Sequence, residues 1–270
     1  GEVYNLAIKQ KDLFEIIILD SSDKKTCENY IDLNEVKYIK HPEWPFNHGC
    51  SRNLLLENLQ TRYVVFITQD AFLKDSEACS KLLDFLLRNN LSGCYGRQIA
   101  RQSASFCERF LREYNYKEQS YVEKKSSANR VGFEKVFSSN SFCCYDSYTL
   151  NEIGGFRNTH FGEDTLAFLD FIKIGKNIGY CAEASVIHSH KFLFAREILR
   201  NIAIGRFRSK HEGEVKQICG AKLSNHMHVT ALLHNLSKNF TLKDFLETMC
   251  YLHARVFGYI IGRISFVIKT

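Results

Sequence analysis

Proline is almost missing from this chain. Both prolines lie in His41-Pro42-Glu43-Trp44-Pro45, so the rest of the 270 residues lack the residue that most often breaks helices and central strands. No run of about 18 apolar residues occurs, which leaves no candidate for a bilayer-crossing helix, and no secretory signal opens the sequence. Among ten cysteines there is no CxxC pair, so the spacing of a zinc site is absent too. Several of those cysteines sit inside apolar runs. Reduced, mostly buried thiols in a reducing compartment are expected, and with them a cytoplasmic protein. There is no basic arm: Lys and Arg are spread along the chain. A formal charge of +6 fits an anionic ligand or an anionic membrane surface and is too small to argue for nucleic acid. Repeats and low-complexity segments are absent as well.

What is present is a chain sized for one large α/β domain, or a domain with an appendage. Its most informative stretch is Tyr63-Val-Val-Phe-Ile-Thr-Gln-Asp70-Ala71. Five β-prone apolar residues predict a strand buried on both faces of a parallel or mixed sheet. It stops abruptly on Thr68, Gln69 and Asp70. A carboxylate at the C-terminal end of such a strand sits where open α/β sheets bind ligands, and it suits a divalent cation. The plainer alternative is that Asp70 or Asp75 caps the next helix.

The elements around it alternate. Phe14 to Asp20 predicts a strand ending on Asp20-Ser21-Ser22-Asp23, with the tail of a helix before it (2–10) and a short helix after it (24–30). Val36 to Lys40 predicts another strand, Cys50 to Gln60 a helix, and Ser76 to Asn89 a helix with Leu82, Leu83, Leu86 and Leu87 at helical spacing. This alternation points to crossover helices on a sheet. Further strands are expected at Ser92–Gln98, Lys135–Tyr145 and Ile178–Ile187, with a helix and an exposed loop between 101 and 130. Gly154-Gly155-Phe156 reads as a turn. A helix over Thr165–Ile174 ends on Gly175, and from Phe192 the pattern is helical, with breaks near Gly220 and Asn239.

Three strands thus end in polar groups: Asp20, Asp70 and the His188/His190 pair, with Glu163 and Asp164 at a helix start. On one rim, carboxylates and imidazoles would suit a metal-bound diphosphate with a general base nearby. Each has a plainer reading: Asx-turn chemistry for Asp20, helix-dipole complementarity for Glu163 and Asp164. Alternate strand residues face opposite ways, so one of the two histidines is expected to pack rather than serve the site. Asn47-His48-Gly49-Cys50-Ser51-Arg52-Asn53 offers backbone N–H groups and a guanidinium suited to a nucleotide phosphate, or else an ordinary helix cap with a surface arginine.

The ordered set Asp20-Ser-Ser-Asp, Phe46-Asn-His-Gly-Cys-Ser-Arg-Asn53, Phe66-Ile-Thr-Gln-Asp70-Ala71, Tyr95-Gly-Arg-Gln98, Ser138-Ser-Asn-Ser-Phe142 with Tyr145, Ile153-Gly-Gly-Phe156, Gly162-Glu-Asp164 and His188-Ser-His190 resembles family 2 glycosyltransferases of the GT-A fold, bacterial rhamnosyltransferases above all. The resemblance spans roughly residues 5–210. It implies a GT-A mixed sheet flanked by helices over 1–190 and a helical C-terminal extension over 191–270. It also implies single-displacement, inverting transfer of a sugar, dTDP-L-rhamnose being the expected donor, to a saccharide or lipid-linked acceptor in surface polysaccharide synthesis. Carried onto this sequence, Asp164 would be the general base and Glu163 would orient it. Asp20, Arg52 and Gln69 would hold the nucleotide. Asp70 with His188 or His190 would bind Mg²⁺ or Mn²⁺, and Gly155 and Phe156 would shape the acceptor side.

Two departures from the family pattern stand out. The acidic DxD motif reads Thr68-Gln69-Asp70, so one carboxylate is replaced. The opening nucleotide-binding strand of the family is not found ahead of Glu2, and on this reading the chain is N-terminally truncated. Both favour a rival reading, a catalytically silent nucleotide-sugar or polysaccharide-binding module. A nucleotidyltransferase is a third, but no Gly-rich, Lys/Arg-bearing loop is seen near the N-terminus. The apolar, cation-dotted tail Ala254–Lys269 could lie on the inner membrane face, or pack on the catalytic domain or on a second subunit of a homo-oligomer.

Overall fold

The computed structural model describes residues 14–22, 36–41, 46–188, 193–221, 232 and 241–267. The helices expected at 2–10 and 24–30, the prolines, His190 and the break near Asn239 lie outside them.

The described residues form two sheets. Strands β1 (Ile17–Asp20) and β2 (Lys37–Lys40) pair in parallel, with Asp20 opposite Lys40. The larger sheet has six strands: β3 (Tyr63–Ile67), β4 (Phe72–Leu73), β5 (Gly93–Ile99), β6 (Tyr121–Glu123), β7 (Phe142–Asp146) and β8 (Ile178–Ile187). Its order is β3-β7-β5-β8-β4, and β6 also pairs with β8. β7 is antiparallel to both β3 and β5, while β8 is parallel to β5. So β3, β5 and β8 run the same way, and their C-terminal ends share one rim with the start of β7. This is the mixed sheet expected. The strand expected to be buried on both faces is different in detail: β3 bonds only to β7 among the described strands, and only Phe66 of its five residues is buried.

The sheet has apolar layers on both faces because its strands alternate. Cys143 and Tyr145 of β7 point into a cluster with Tyr95, Tyr180, Phe168 and Phe171. Phe142 and Cys144 point the other way, against Leu82 and Leu86 of helix α2 (Ala78–Arg88), which follows helix α1 (His48–Leu56) in the chain. All nine described cysteines are free and seven are buried, as their apolar surroundings predict. Burial pushes the Cys79 thiol up to about 12 and Cys107 and Cys219 to about 11, which keeps them protonated and inert at neutral pH.

Helices α3 (Phe106–Asn115), α4 (Ser147–Glu152), α5 (Glu163–Lys173), α6 (Phe194–Cys219) and α7 (Leu242–Val267) complete the described helices. A capping box between Ser105 and Glu108 starts α3. α6 and α7 form an intimate pair: a Cβ on Gly262 would come within 2.3 Å of the Ile202 carbonyl. Tyr251 of α7 packs with Cys107 and Phe110 of α3, which ties the tail to α3. No described helix is long and apolar enough to cross a membrane. The strand expected from Lys135 begins only at Phe142. The 135–138 alternation instead follows a short 3₁₀ turn at Gly132–Glu134, and Lys135 turns inward to donate to the carbonyls of Lys125 and Ser127.

α1 is pressed against the loop before α5. A Cβ on Gly49 would lie 2.1 Å from the Arg157 carbonyl oxygen. The Gly49→Ala variant is therefore expected to lose about 1–3 kcal/mol in urea unfolding through overpacking, and unchanged stability would show that this contact is not tight.

Candidate active site

The shared rim collects the polar groups. At the end of β3, Thr68 Oγ1 donates to Asp70 Oδ1 at 2.8 Å. At the end of β8, His188 Nε2 lies 3.3 Å from the same Asp70 oxygen, and the imidazole is buried. β5 supplies Gln98: its Oε1 is 2.9 Å from His188 Nδ1 and its Nε2 donates to Ser139 Oγ at 2.8 Å. A register shift between Gly96 and Arg97 lets β5 follow β8 to this corner, and His188 N donates to the Ile99 carbonyl. With the Gln98 amide so turned, Nδ1 of His188 carries the proton. Nε2 then meets a carboxylate oxygen across 3.3 Å, an arrangement that a cation between them would satisfy.

The start of β7 continues the chain of contacts. Asn140 N donates to Asp164 Oδ2 at 3.2 Å, Asn140 Nδ2 donates to Glu163 Oε1 at 3.1 Å, and the Tyr145 hydroxyl donates to Asn140 Oδ1 at 2.8 Å. Both carboxylates open α5, where the backbone N–H of Thr165 also reaches Asp164 Oδ1 at 2.7 Å. Glu163 is buried and ion-paired to Arg52 of α1 at 2.9 Å. Asp164 keeps part of its surface open. Burial pushes its carboxyl up to about 7, the Glu163 charge adds to this, and Arg52 and the backbone donors oppose it. His48, half-buried on α1, has its pKa lowered by burial and by Arg52 and His160, against the pull of Glu163.

Several of the expected site residues are engaged within the protein itself. The side chain of Arg52, expected to help hold the nucleotide, turns to Glu163 and to the His48 carbonyl of its own helix, because a buried carboxylate demands a cation. Phe156, expected on the acceptor side, is 2% exposed and packs edge-on to Phe66 and Tyr145. Its backbone is clasped by Asn53, whose amide oxygen accepts from Phe156 N and whose nitrogen donates to Phe156 O. Gly155, beside Asn53, belongs to the same turn. Asp20 is buried at the end of β1 with both oxygens engaged, by Ser22, Tyr38 and Lys40. Burial would raise its pKa, but these hydrogen bonds outweigh burial and hold it well below the usual range. Gln69 is exposed at the turn after β3. No contact described joins Asp20 or Gln69 to the Asp70–Asp164 rim. Gln98, Ser139 and Asn140 lay in the quoted motifs, yet neutral side chains gave no cue to a role.

Among the described residues no group of three His, Cys, Asp or Glu side chains could hold a metal ion by itself. Asp70 and His188 form a two-donor set, which fits a cation that completes its shell with phosphate oxygens and water.

A mixed sheet flanked by helices, with carboxylates and a histidine gathered where its co-directional strands end, makes this chain a GT-A glycosyltransferase. It belongs to glycosyl transferase family 2, whose profile matches residues 1–154. It is 31% identical over 264 residues to the O-antigen chain rhamnosyltransferase RfbN of Salmonella typhimurium, covering 95% of this chain and 83% of that one. The O-antigen chain rhamnosyltransferase WbaN of Salmonella anatum is 30% identical over 253 residues, covering 92% and 79%. The fold matches a mannosyltransferase of Pyrobaculum calidifontis solved with GDP-Man and Mn²⁺, at a TM-score of 0.59, 14% identity and coverage of 96% and 79%. It also matches S. aureus TarS solved with UDP-GlcNAc, at 0.57, 14% identity and coverage of 100% and 88%.

Asn140 is the hinge of the rim. Asn140→Ala would leave the buried Tyr145 hydroxyl and a Glu163 oxygen each one bond short. The expected loss is about 2–4 kcal/mol in denaturant unfolding, and a loss below about 0.5 kcal/mol would mean these bonds contribute little.

Proposed function

We propose that this protein transfers L-rhamnose from a nucleoside-diphosphate donor to a saccharide or lipid-linked acceptor, with inversion, in the synthesis of a surface polysaccharide. The observation that carries it is Asp164: a partly open carboxyl, poised near neutrality, on the same rim as the Asp70–His188 pair. The two O-antigen rhamnosyltransferase relatives supply the sugar class.

Asp70 and His188 would hold a divalent cation. When bound, it would neutralise charge developing on the leaving diphosphate. Asp164 takes the proton of the acceptor hydroxyl as that oxygen attacks the anomeric carbon and the diphosphate oxygen departs. A base with a pKa near the working pH is both available and strong enough for this transfer. Glu163 cannot share the task, because Arg52 and Asn140 hold it in place; its charge keeps the Asp164 proton affinity high. Asp20 would contact the nucleotide base after Lys40, whose side chain is 44% exposed, swings aside. The C-terminal helices would extend the catalytic domain toward the acceptor.

The Thr68 hydroxyl bonded to Asp70, where the family carries a second acid, favours the rival reading of a binding module without turnover. A turnover assay separates the two. Asp164→Asn is expected to lower kcat by about 10²–10⁴-fold with nucleoside-diphosphate affinity kept; turnover at the wild-type rate would reject Asp164 as the base. Deprotonated Asp164 is the active form, so kcat is expected to fall as pH drops through about 7. Arg52 lowers the Asp164 pKa, so Arg52→Gln is expected to move this acidic limb to higher pH. A limb that stays put, or moves down, contradicts the assignment.

A further inference from the structure

Half of the large apolar side chains exposed among the described residues lie on one helix, α7. They follow a pattern. Leu246, Cys250, His253, Phe257, Ile260 and Ile264 are all exposed and succeed one another at steps of four, three, four, three and four residues. A mean step of about 3.5 is the seam of a helix that packs lengthwise on another helix. Leu242 and Val256 extend and widen the stripe, which runs for about 33 Å at 1.5 Å per residue.

The opposite face of α7 is already used. Tyr251 and Ala254 are buried there, and a Cβ on Gly258 would come within 2.5 Å of the Ile198 carbonyl of α6. Thr248 meets Cys107 of α3 at 3.4 Å. The stripe lies on the side of the helix turned away from these contacts.

Three observations point to a second copy of this chain as its cover. The first is charge. A helix that lies on a lipid surface borders its apolar stripe with lysines and arginines. In α7, Arg263 is held by Glu212 of α6 at 2.8 Å, and Arg255 donates to the hydroxyl of buried Tyr251. Lys243 is the one exposed lysine or arginine of the helix.

The second is self-complementarity. Turned end for end about a two-fold axis level with residue 255, the seam places Leu246 against Ile264, Cys250 against Ile260 and His253 against Phe257. Each polar or soft residue then meets an apolar one, imidazole meets phenyl, and the two helix dipoles oppose. A parallel pair would set His253 on His253, two polar groups facing each other in an apolar seam. The third is area. Leu242, Leu246, Val256, Phe257, Ile260 and Ile264 are each between 50% and 72% exposed. Together they offer on the order of 500 Å² per copy, or about 1,000 Å² in a pair, which is where specific interfaces begin.

We propose that this protein forms a homodimer through α7, with the two helices antiparallel about a two-fold axis level with residue 255. The inference does not depend on the reaction assigned to the rim. Sedimentation of the full chain up to about 100 μM, a range suited to an interface of this size, is expected to show a dimer. Leu246→Glu/Ile260→Glu is expected to weaken association at least about 100-fold and to sediment as a monomer, with its helix content by circular dichroism unchanged. A short bismaleimide reads the register. Ile260→Cys is expected to cross-link to Cys250 of the partner subunit, and adding Cys250→Ser is expected to abolish that product. In the wild type the two Cys250 thiols would lie about 15 Å apart along the helices, so no cross-link is expected. Cross-linking of the wild type through Cys250 would mean parallel helices and overturn the arrangement. A monomeric wild type, or a dimer that survives Leu246→Glu/Ile260→Glu, would overturn the interface. Flotation of a monomeric wild type with phosphatidylglycerol vesicles, lost in that variant, would hand the stripe to a lipid surface and also overturn it.

Discussion

One hydrogen-bonded path runs along the edge of the sheet, and the rest of the site depends on it. Asp70 meets His188, His188 meets Gln98, and Gln98 meets Ser139. The next residue, Asn140, meets Asp164 and Glu163, and Glu163 meets Arg52. Each step joins a different element: the ends of β3, β8 and β5, the start of β7, the start of α5 and the first turns of α1. Removing a buried partner would leave its neighbour desolvated and unpaired, which costs more than the bond itself contributes. The path thus fixes the spacing between the Asp70–His188 pair and Asp164.

Burial divides the labour between the two acids of α5. Glu163 is deeper and has a guanidinium and an amide as partners. Asp164 has only backbone donors, some exposure, and a charged neighbour. Two adjacent carboxylates with environments this different are pushed toward different roles, one supporting charge and one exchanging a proton. Arg52 then acts on both: it neutralises Glu163 and restrains how far the Asp164 pKa rises.

Much of the fold was legible in the sequence. Ile178–Ile187 was read end to end, because a strand buried on both faces is mostly apolar, here interrupted only by Gly179, Glu183 and Ser185. The turn at Gly154-Gly155 was equally plain, and the helix read over Thr165–Ile174 runs over Glu163–Lys173. Less legible were features set by distant neighbours. Tyr63–Ile67 looks like a central strand, but local pattern says nothing about which strands will flank it. Lys135–Ser138 alternates as a strand would, yet Lys135 is drawn inward by two carbonyls. In the site, spacing placed Arg52 on the first turns of a helix without showing where its fork would point. Asp70, Asp164 and His188 stood out because titratable groups at strand and helix ends are conspicuous, and the structure brings all three to one rim. Gln98 and Asn140, which join them, are neutral and could be recognised only once the strands were paired.

The central claim is that a single rim holds the donor's cation at one end and the base at the other. A crystal structure of the full chain with Mn²⁺ and a nucleoside diphosphate tests it most directly. The account predicts an anomalous peak bonded to Asp70 and His188, with the diphosphate on it and the Asp164 carboxylate facing the space where the sugar would stand. A peak elsewhere, or a diphosphate bound away from this rim, would contradict it.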